Sequence, residues 1–303
     1  PKKLYYRLLS EFMLQQTQVK TVIPYFYNFT KKFKTLKALS KSNETEILKM
    51  WEGLGYYRRA RNLLACSKIL VKNYNSKLPY SINEIKKLPG VGDYTANALL
   101  GLIYNEPRIA LDGNVKRVFS RNLNTDENKI NFERFIEKNK KKLFTTNRND
   151  DFVEALMEFG ALICKPRDPN CLKCCLKKTC KYFKSSRKVK SIKKKMIKKK
   201  NFDIFCYVNN KKQIALTKNN RISFLKNFNV PEIREVSSFP KNQNWKFLKN
   251  YKKSISNLKL NINLYYKFSN KIPPMYNWYS LNRNKEFVPS FTKKIFRQVS
   301  SLF

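Results

Sequence analysis

The sequence Leu88-Pro89-Gly90-Val91-Gly92 constrains the fold more than any other stretch of this chain. A proline followed by two glycines permits a tight turn with positive φ, and it leaves backbone N–H groups facing outward. The patterns on either side indicate helices, so we predict a hairpin between two helices within a region that is all α up to Asn122. Such a turn can hold a phosphate. Asp112 comes at the end of the helix that the hairpin opens, which ties a phosphate-binding turn and a carboxylate to one helix.

The charge of the chain points to a polyanionic partner. It has 64 Lys and Arg against 21 Asp and Glu, a formal net charge of +43. Nucleic acid or an anionic membrane face would suit this charge, although nucleotide bias in the source genome can also enrich lysine. No run of eighteen apolar residues and no signal-peptide pattern is present, so we expect neither a membrane partner nor export. A bacterial source would place the protein in the cytoplasm with the nucleoid.

The absence of histidine limits the possible chemistry. With His 0 in the composition, Ser-His-Asp triads, histidine metal ligands and histidine bases are all excluded. Acid and base catalysis must then come from Asp, Glu, Tyr, Lys or Cys. Glu11 is a candidate because it lies inside the apolar segment from Leu4 to Val19, which predicts a buried helix. The alternative is that Glu11 faces solvent from an amphipathic helix, the more usual place for a glutamate.

A second glycine turn carries aromatic and basic residues. It runs from Gly53 to Arg61 and contains two tyrosines and three arginines. Such a turn suits a wedge pushed into a base stack beside cations that bind phosphate. The alternative is an ordinary helix junction with a basic surface.

Four cysteines lie close together in the spacing Cys-x6-Cys-x2-Cys-x5-Cys. They are Cys164, Cys171, Cys174 and Cys180. Without an export signal, they are more plausible as metal ligands than as disulfides. All-thiolate ligation fits a [4Fe–4S] cluster or structural zinc, and the softness of the ligands does not choose between them. Cys175 is an additional neighbour, whereas we expect Cys66 and Cys206 to be small buried hydrophobic residues.

The last third of the chain has a different pattern. Residues 182–200 are a basic run that we interpret as a linker. Beyond it, Phe202 to Val208 and Gln213 to Thr217 indicate strands, and apolar residues alternate with polar ones from Leu258 to Leu264. A helix is predicted after Ser290. Residues 201–303 therefore predict a separate α+β domain.

These motifs together resemble the MutY family of adenine DNA glycosylases, within the helix-hairpin-helix endonuclease III superfamily. The resemblance extends from about Leu9 to Cys180. It is carried by Ser10-Glu11-Phe12-Met13-Leu14-Gln15-Gln16-Thr17-Gln18-Val19, Gly53-Leu54-Gly55-Tyr56-Tyr57, the hairpin, Leu111-Asp112-Gly113-Asn114-Val115-Lys116-Arg117-Val118 and the cysteine spacing, which is that of the superfamily's cluster loop.

The resemblance implies a multidomain fold. Its first part is an all-α helix-hairpin-helix glycosylase core over residues 1–181, with an iron-sulfur cluster loop. Within this core, a six-helix subdomain spans about 17–121, and 1–16 and 122–181 form the cluster subdomain. The C-terminal α+β part is then a Nudix-like lesion-recognition domain.

The resemblance also assigns catalytic roles. Glu11 matches the acid that protonates adenine N7, and an apolar setting is the kind that raises the pKa of a carboxyl group. Asp112 matches the carboxylate that stabilises positive charge on deoxyribose, and Asn114 matches its hydrogen-bonding partner. Two carboxylates that flank an N-glycosidic bond follow the logic of sugar hydrolases. The adenine must be flipped out of the duplex to be reached.

Tyr94 separates two activities. In endonuclease III relatives this position carries a lysine that forms a Schiff base with the sugar, and a phenol cannot form that imine. We therefore expect a monofunctional glycosylase that uses water. Lys116 lies close to Asp112 in sequence and could trap a little product. A bifunctional glycosylase for oxidised pyrimidines is the less favoured alternative.

Further positions match residues that bind DNA or the cofactor in the family. Around the lesion pair and the phosphate these are Gln16, Thr17, Leu54, Tyr56, Gly90 and Gly92. Glu154 matches a contact to the flipped adenine, and an alkali cation is expected at the hairpin. The expected partner is double-stranded DNA with adenine opposite 8-oxoguanine or guanine, bound by a monomer. The four cysteines are expected to hold [4Fe–4S].

The sequence also departs from the family. Ser256 falls at the serine of a Phe-Ser-His motif that is Ile255-Ser256-Asn257 here. The family's Pro-Trp-Arg segment has no counterpart in this sequence, which begins at Pro1. No Nudix box is present, so we expect no pyrophosphatase activity. These departures favour a second alternative, a DNA-binding remnant that has lost chemistry or lesion recognition, which the presence of both carboxylates opposes.

Overall fold

The structure, a computed structural model, describes residues 2–185, 198–219, 221–235, 244–255, 258–282 and 287–303. The chain divides into two compact units, Pro1–Ile192 and Lys193–Phe303. Within the described residues the first unit is helical and the second is built on a mixed sheet. No helix in these ranges combines the length and apolar character needed to cross a bilayer.

The first unit is a succession of helices with short connections, as predicted. Their bounds are α1 (Lys2–Leu14), α2 (Val19–Lys32), α3 (Leu36–Ser40), α4 (Glu44–Met50), α5 (Arg58–Asn73), α6 (Ile82–Lys86), α7 (Asp93–Tyr104), α8 (Gly113–Leu123), α9 (Phe132–Leu143), α10 (Asn149–Leu162) and α11 (Lys181–Lys184). The predicted helical hairpin is formed by α6 and α7.

Helix α1 lies in the centre of the helical core. Its fully buried side chains are Tyr5, Leu8, Leu9, Phe12 and Met13. Each large apolar side chain removed from water contributes about 1.5–3 kcal/mol, so this helix is held strongly in place. A polar residue on the buried face of α1 is therefore placed among apolar neighbours.

The end of α1 differs from the prediction. The apolar pattern predicted a helix to Val19, but α1 ends at Leu14. Gln16 has φ of +57°, in the left-handed region, so the chain turns there before α2 begins. The apolar pattern continues through the turn, which is why it did not reveal the break.

Helix α7 of the hairpin and the later helices α8 and α10 pack around α1 and against one another. α7 packs against both α1 and α10, and α8 packs against α10. A small apolar cluster joins them through Ala98, Leu102, Ala110 and Val153, with Tyr94 against it. Helices distant in sequence therefore meet along α7, from Tyr94 to Leu102.

Among its described residues, the second unit contains a mixed sheet and one α-helix. Its elements are β1 (Lys198–Asn209), β2 (Gln213–Lys218), β3 (Asn229–Val230), β4 (Glu232–Glu235), β5 (Lys246–Ile255), β6 (Leu258–Phe268), β7 (Asn277–Ser280) and α12 (Ser290–Val299). The strand order is β3-β2-β1-β6-β5, with β4 paired to β1 and β7 to β2. β1 and β6 are parallel, with Phe202 opposite Ile262.

The predicted strands and helix of this unit are present. The alternation in β6 buries Leu260, Ile262 and Leu264, and α12 buries Ile295 and Val299. β1 begins at Lys198, within the segment interpreted as a linker, and residues 186–197 lie outside the described residues. Ser256 also lies outside them.

Candidate active site

Glu11 is buried inside the helical core. Its side chain projects from α1 and the residue is only 4% exposed, so the buried alternative for this glutamate is the observed one. The pKa of its carboxyl group is raised from 4.5 to about 7, mainly by burial and to a lesser extent by the charge of Asp112. The positive charge of Arg7 and a hydrogen bond from Tyr94 act in the opposite direction. A substantial fraction of Glu11 is therefore protonated near neutral pH.

Tyr94 brings a phenol to this carboxyl group. It is the second residue of α7, and its hydroxyl group hydrogen-bonds to Glu11. Burial, followed by the charges of Glu11 and Asp112, raises the pKa of the phenol. The phenol therefore stays protonated and donates to Glu11 when that group is ionised.

Asp112 lies at the start of α8, where two hydrogen bonds fix it. The prediction that it comes at the end of the helix opened by the hairpin was wrong, because α7 ends at Tyr104. Asp112 is the N-cap residue of α8, and its Oδ1 accepts from the Val115 backbone N–H at 2.7 Å. Its Oδ2 accepts from Asn114 Nδ2 at 2.9 Å. An aspartate at an N-cap satisfies a backbone donor that has no partner within the helix. The cap also holds this carboxylate in one orientation.

Asn114 is in turn held by α10. Its Oδ1 accepts from Arg117 Nη2 at 2.8 Å, and the same guanidinium donates to the backbone oxygens of Gly160 at 2.6 Å and Cys164 at 2.8 Å. A Cβ atom added at Gly160 would lie 2.8 Å from Asn114 Cβ. The start of α8 can approach α10 this closely only because residue 160 has no side chain.

The hairpin turn requires glycine at one of its two glycine positions. Gly90 has φ of +80°, and a Cβ there would lie 2.7 Å from both Asn62 Nδ2 and Phe12. Gly92 has φ of −102° and serves as the N-cap of α7, so the positive φ that the predicted turn needs is supplied by Gly90. Gln15 Nε2 donates to the Gly90 oxygen at 3.3 Å, which joins the end of α1 to the turn.

The second glycine turn presents a tyrosine to solvent. Gly53, Gly55 and Tyr56 have φ of +98°, +74° and +48°. Tyr56 is 41% exposed, whereas Leu54 is buried. Gln16 is exposed too, so it and Tyr56 offer accessible side chains at the two turns.

Arg59 joins these two turns from inside the protein. Its Nη1 donates to the oxygens of Met13 at 2.6 Å, Gln15 at 2.5 Å and Phe12 at 3.2 Å. Its Nη2 donates to the Leu54 and Gly55 oxygens at 3.3 and 3.2 Å. The guanidinium also lies over the rings of Trp51 and Tyr56. Burial lowers its pKa to about 10.

This arrangement corrects one expectation for the segment. The arginines after the glycine turn were expected to bind phosphate, but Arg59 is 6% exposed and binds backbone oxygens. Arg61 donates to Glu44 at 2.7 Å, while Arg58 is exposed. Only burial, which the sequence pattern did not reveal, separates Arg59 from its neighbours.

Glu154 and Lys116 have partners that the sequence did not indicate. Glu154 accepts two hydrogen bonds from Arg7, at 2.9 and 2.6 Å. The Lys116 ammonium lies 5.8 Å from the centroid of the Phe132 ring, on the side of α9. Arg7 was not identified from the sequence because its partner is 147 residues away.

The four predicted cysteine ligands line one cavity. Its wall also contains Arg121, Lys177 and Tyr182 among other residues. Arg121 Nη1 lies 3.5 Å from Cys164 Sγ. Among the described residues, no three His, Cys, Asp or Glu side chains are arranged to hold a single metal ion. As expected, Cys66 and Cys206 are fully buried.

Sequence comparisons identify relatives across most of the chain. Residues 9–142 match the family described as HhH-GPD superfamily base excision DNA repair protein. The adenine DNA glycosylase of Buchnera aphidicola subsp. Baizongia pistaciae (strain Bp) is 37% identical over 299 residues, covering 93% of this chain and 85% of that protein. The adenine DNA glycosylase of Homo sapiens is 34% identical over 183 residues, covering 59% of this chain and 34% of the human protein.

Structural comparisons identify the same type of core. A thermostable thymine-DNA glycosylase matches with a TM-score of 0.54 at 28% identity, and endonuclease III in a non-covalent DNA complex matches with a TM-score of 0.52 at 25% identity. Each match covers 61% of this chain and 86% of the other. The predicted resemblance is thus confirmed. The chain belongs to the adenine DNA glycosylases of the HhH-GPD superfamily of base excision DNA repair proteins, and it is an adenine-specific DNA glycosylase.

Proposed function

We propose that this enzyme hydrolyses the N-glycosidic bond of adenine mispaired with 8-oxoguanine or guanine in duplex DNA, without cutting the strand. The observation that carries this proposal is the hydrogen bond between the Glu11 carboxyl group and the Tyr94 phenol, in a buried site that also experiences the charge of Asp112. Because an adenine inside a duplex cannot reach a buried acid, it must first be flipped out.

In the proposed mechanism Glu11 is the general acid. It donates its proton to adenine N7 while the bond between C1′ and N9 breaks, and the bonding electron pair leaves with the base. A pKa of about 7 suits this role because an acid is most effective when its pKa lies near the working pH. Water then forms the new bond to C1′, and its released proton can return to the Glu11 carboxylate.

Asp112 is proposed to stabilise the positive charge that develops on the deoxyribose. Its two hydrogen bonds, from Val115 N–H and Asn114 Nδ2, keep the carboxylate in place. A carboxylate beside an oxocarbenium-like centre serves the same purpose in glycoside hydrolases. Asn114 is thereby a positioning residue for Asp112.

Hydrolysis without strand cleavage is proposed from the identity of residue 94. A tyrosine stands where bifunctional relatives have a lysine, and its phenol cannot form an imine with the sugar. Lys116, four residues after Asp112, is the other amine to consider, and its ammonium lies over the Phe132 ring. Borohydride trapping of a little product by Lys116 would be compatible with the proposal, whereas β-elimination as fast as base release would contradict it.

The direct test is base release from three duplexes, with adenine opposite 8-oxoguanine, guanine and thymine. We expect release from the first two under single-turnover conditions, with strand breaks only after alkali. Glu11→Gln and Asp112→Asn should retain mispair binding and lose excision. No release from the first duplex by protein loaded with its cofactor would refute the proposal. Binding without excision or discrimination would support the remnant alternative.

We propose that the two turns and the hairpin contact the DNA. Gln16, Thr17, Leu54 and Tyr56 would fill the space around the lesion pair, and the backbone N–H groups at Gly90 and Gly92 would bind phosphate. The cationic surface predicts that log K for binding falls linearly with log of salt concentration. Affinity independent of salt would contradict this mode of binding.

An alkali cation at the hairpin is proposed as well. The Gly90 backbone oxygen accepts from Gln15, but a carbonyl oxygen has a second lone pair that can face a cation. Replacing potassium by a bulky organic cation at constant ionic strength should weaken DNA binding. Unchanged binding would exclude a role for the cation.

We propose that Cys164, Cys171, Cys174 and Cys180 hold a [4Fe–4S] cluster. Four thiols that line one cavity form a suitable donor set. Arg121 and Lys177 line the same cavity, and their positive charges suit a cluster held by four thiolates. When bound, the cluster would supply structural cross-links within this loop. Iron and sulfide in a stoichiometry near four per chain should be measured, and zinc without iron would contradict the assignment.

The second unit is proposed to be a Nudix-like domain that reads 8-oxoguanine. Its mixed sheet and α12 support this proposal. Ser256→Ala should reduce the preference for 8-oxoguanine over guanine opposite adenine. An unchanged preference would remove Ser256 from lesion recognition. We further propose that the enzyme acts as a monomer on chromosomal DNA, which light scattering in the presence and absence of duplex would test.

A further inference from the structure

Arg7 and Glu154 form a bidentate ion pair between α1 and α10. Arg7 Nη1 donates to Glu154 Oε1 at 2.9 Å and Nη2 donates to Oε2 at 2.6 Å. The side chains are 32% and 44% exposed, so the pair lies at the edge of the core. Paired hydrogen bonds of this kind fix the plane of a carboxylate as well as its position.

This ion pair lies next to the catalytic acid. Arg7 precedes Glu11 by one helical turn, which places both side chains on the same face of α1. The charge of Arg7 acts on the Glu11 carboxyl group, and Glu11 and Glu154 both act on Arg7. The pair is therefore part of the electrostatic environment of the active site.

We propose that Arg7 is a positioning residue for base excision, which holds the Glu154 carboxylate beside Glu11 in the orientation that receives the extruded adenine. This inference rests on the proposed role of Glu154 as a contact to that base. Each carboxylate oxygen has a second lone pair after it has accepted from Arg7. The adenine exocyclic amine is a donor that can use it. Without Arg7, the Glu154 side chain would sample several rotamers and receive the base less often.

Charge balance gives the pair a second effect. Glu11 is faced by Arg7 on its own helix, Tyr94 on α7, Asp112 at the start of α8 and Glu154 on α10 through its ion pair. On α5, the Arg59 guanidinium is taken up by backbone oxygens at the end of α1. Loss of the cation or the anion from the pair should therefore change the proton affinity of Glu11 in opposite directions.

A neighbouring ion pair provides a matched control. Lys3 on α1 donates to Asp150 on α10 at 3.1 Å, one helical turn before Arg7 and Glu154 on both helices. Lys3→Met breaks a tie between the same two helices but leaves the pair beside Glu11 intact. If Arg7 only fastened α1 to α10, Arg7→Met and Lys3→Met would have similar effects.

The experiment compares variants of the whole 303-residue chain on a duplex with adenine opposite 8-oxoguanine, under single-turnover conditions from pH 5 to pH 9. Arg7→Met should lower the rate constant about tenfold or more, because misplacement of a positioning group has effects of this size. Protonated Glu11 is the active form, so the rate constant falls with pH as Glu11 loses its proton. Arg7→Met removes a positive charge and should move this fall in the pH–rate profile to higher pH. Glu154→Gln removes a negative charge and should move it to lower pH. Lys3→Met should change neither quantity.

Arg7→Lys separates the two effects. Lysine restores the charge but cannot form the bidentate contact. The fall in the pH–rate profile should therefore return toward the pH seen for the unmodified protein, while the maximal rate constant stays low. Full recovery of the rate would show that charge alone suffices and would refute positioning. A rate and pH profile for Arg7→Met equal to those of Lys3→Met would also refute it. Glu11→Gln is included because its retention of activity would refute the proposed function independently of Arg7.

Discussion

Glu11→Gln is expected to make the folded protein more stable at alkaline pH while it abolishes base release. In the folded state, burial raises the pKa of Glu11 from 4.5 to about 7. An unfolded chain has no such burial, so between these pH values the folded state binds more protons than the unfolded state. Stability therefore decreases as pH rises through this window.

The size of the effect follows from the shift in pKa. A difference of about 2.5 units corresponds to about 3 kcal/mol lost by pH 8, and to less than about 1 kcal/mol at pH 5. A glutamine has nearly the same shape and never ionises. Glu11→Gln should thus gain about 3 kcal/mol relative to the unmodified protein at pH 8 and little at pH 5.

The measurement is urea unfolding followed by the far-ultraviolet circular dichroism of the helices, at both pH values. Glu158→Gln is the control, because it removes an exposed carboxylate from α10. The quantity of interest is the change in the difference between variant and unmodified protein from pH 5 to pH 8. If Glu11→Gln gave the same difference at both pH values, the reasoning about its burial would be refuted.

Three further predictions concern the site and its supports. The single-turnover rate constant should fall about tenfold per pH unit above pH about 7, because the buried acid must be protonated, and a flat profile to pH 9 would contradict this. Gly160→Ala should lower the rate and destabilise the protein by about 1–3 kcal/mol through its clash with Asn114, whereas Gly113→Ala, where a Cβ has open space, should do neither. Arg59→Met should cost at least about 3 kcal/mol in urea unfolding because it leaves buried carbonyl oxygens without a donor, against about 0.5 kcal/mol for the exposed Arg58→Met; equal losses would show that burial is irrelevant.

Local sequence patterns were sufficient to predict most helices and strands of the fold. The hairpin, the helices around it and the alternating strand β6 follow from glycine, proline and apolar periodicity, which act over a few residues. The end of α1 was misjudged because the left-handed backbone of Gln16 leaves no mark on that periodicity. The burial of Glu11 was one of two alternatives, and only the packing of α1 in the centre of the core decided between them.

The contacts that position the active-site residues could not be predicted from local sequence patterns. Arg7 and Glu154 are far apart in sequence, and neither position has a local pattern that indicates the other. The same is true of Gly160, whose lack of a side chain matters only because α8 lies against it. Such contacts depend on tertiary packing, which one sequence does not reveal.

Arg59 binds five backbone oxygens, which shows that arginine and lysine have different roles in this lysine-rich chain. A lysine ammonium satisfies a general need for positive charge, but it cannot reach several acceptors that lie in different directions within one plane. Arg7 and Arg117 likewise each serve more than one acceptor. In a composition this rich in lysine, the choice of arginine at an interior helical position is thus informative about geometry. It marks places where separate segments of backbone or side chain converge, whereas the net charge mainly describes the surface.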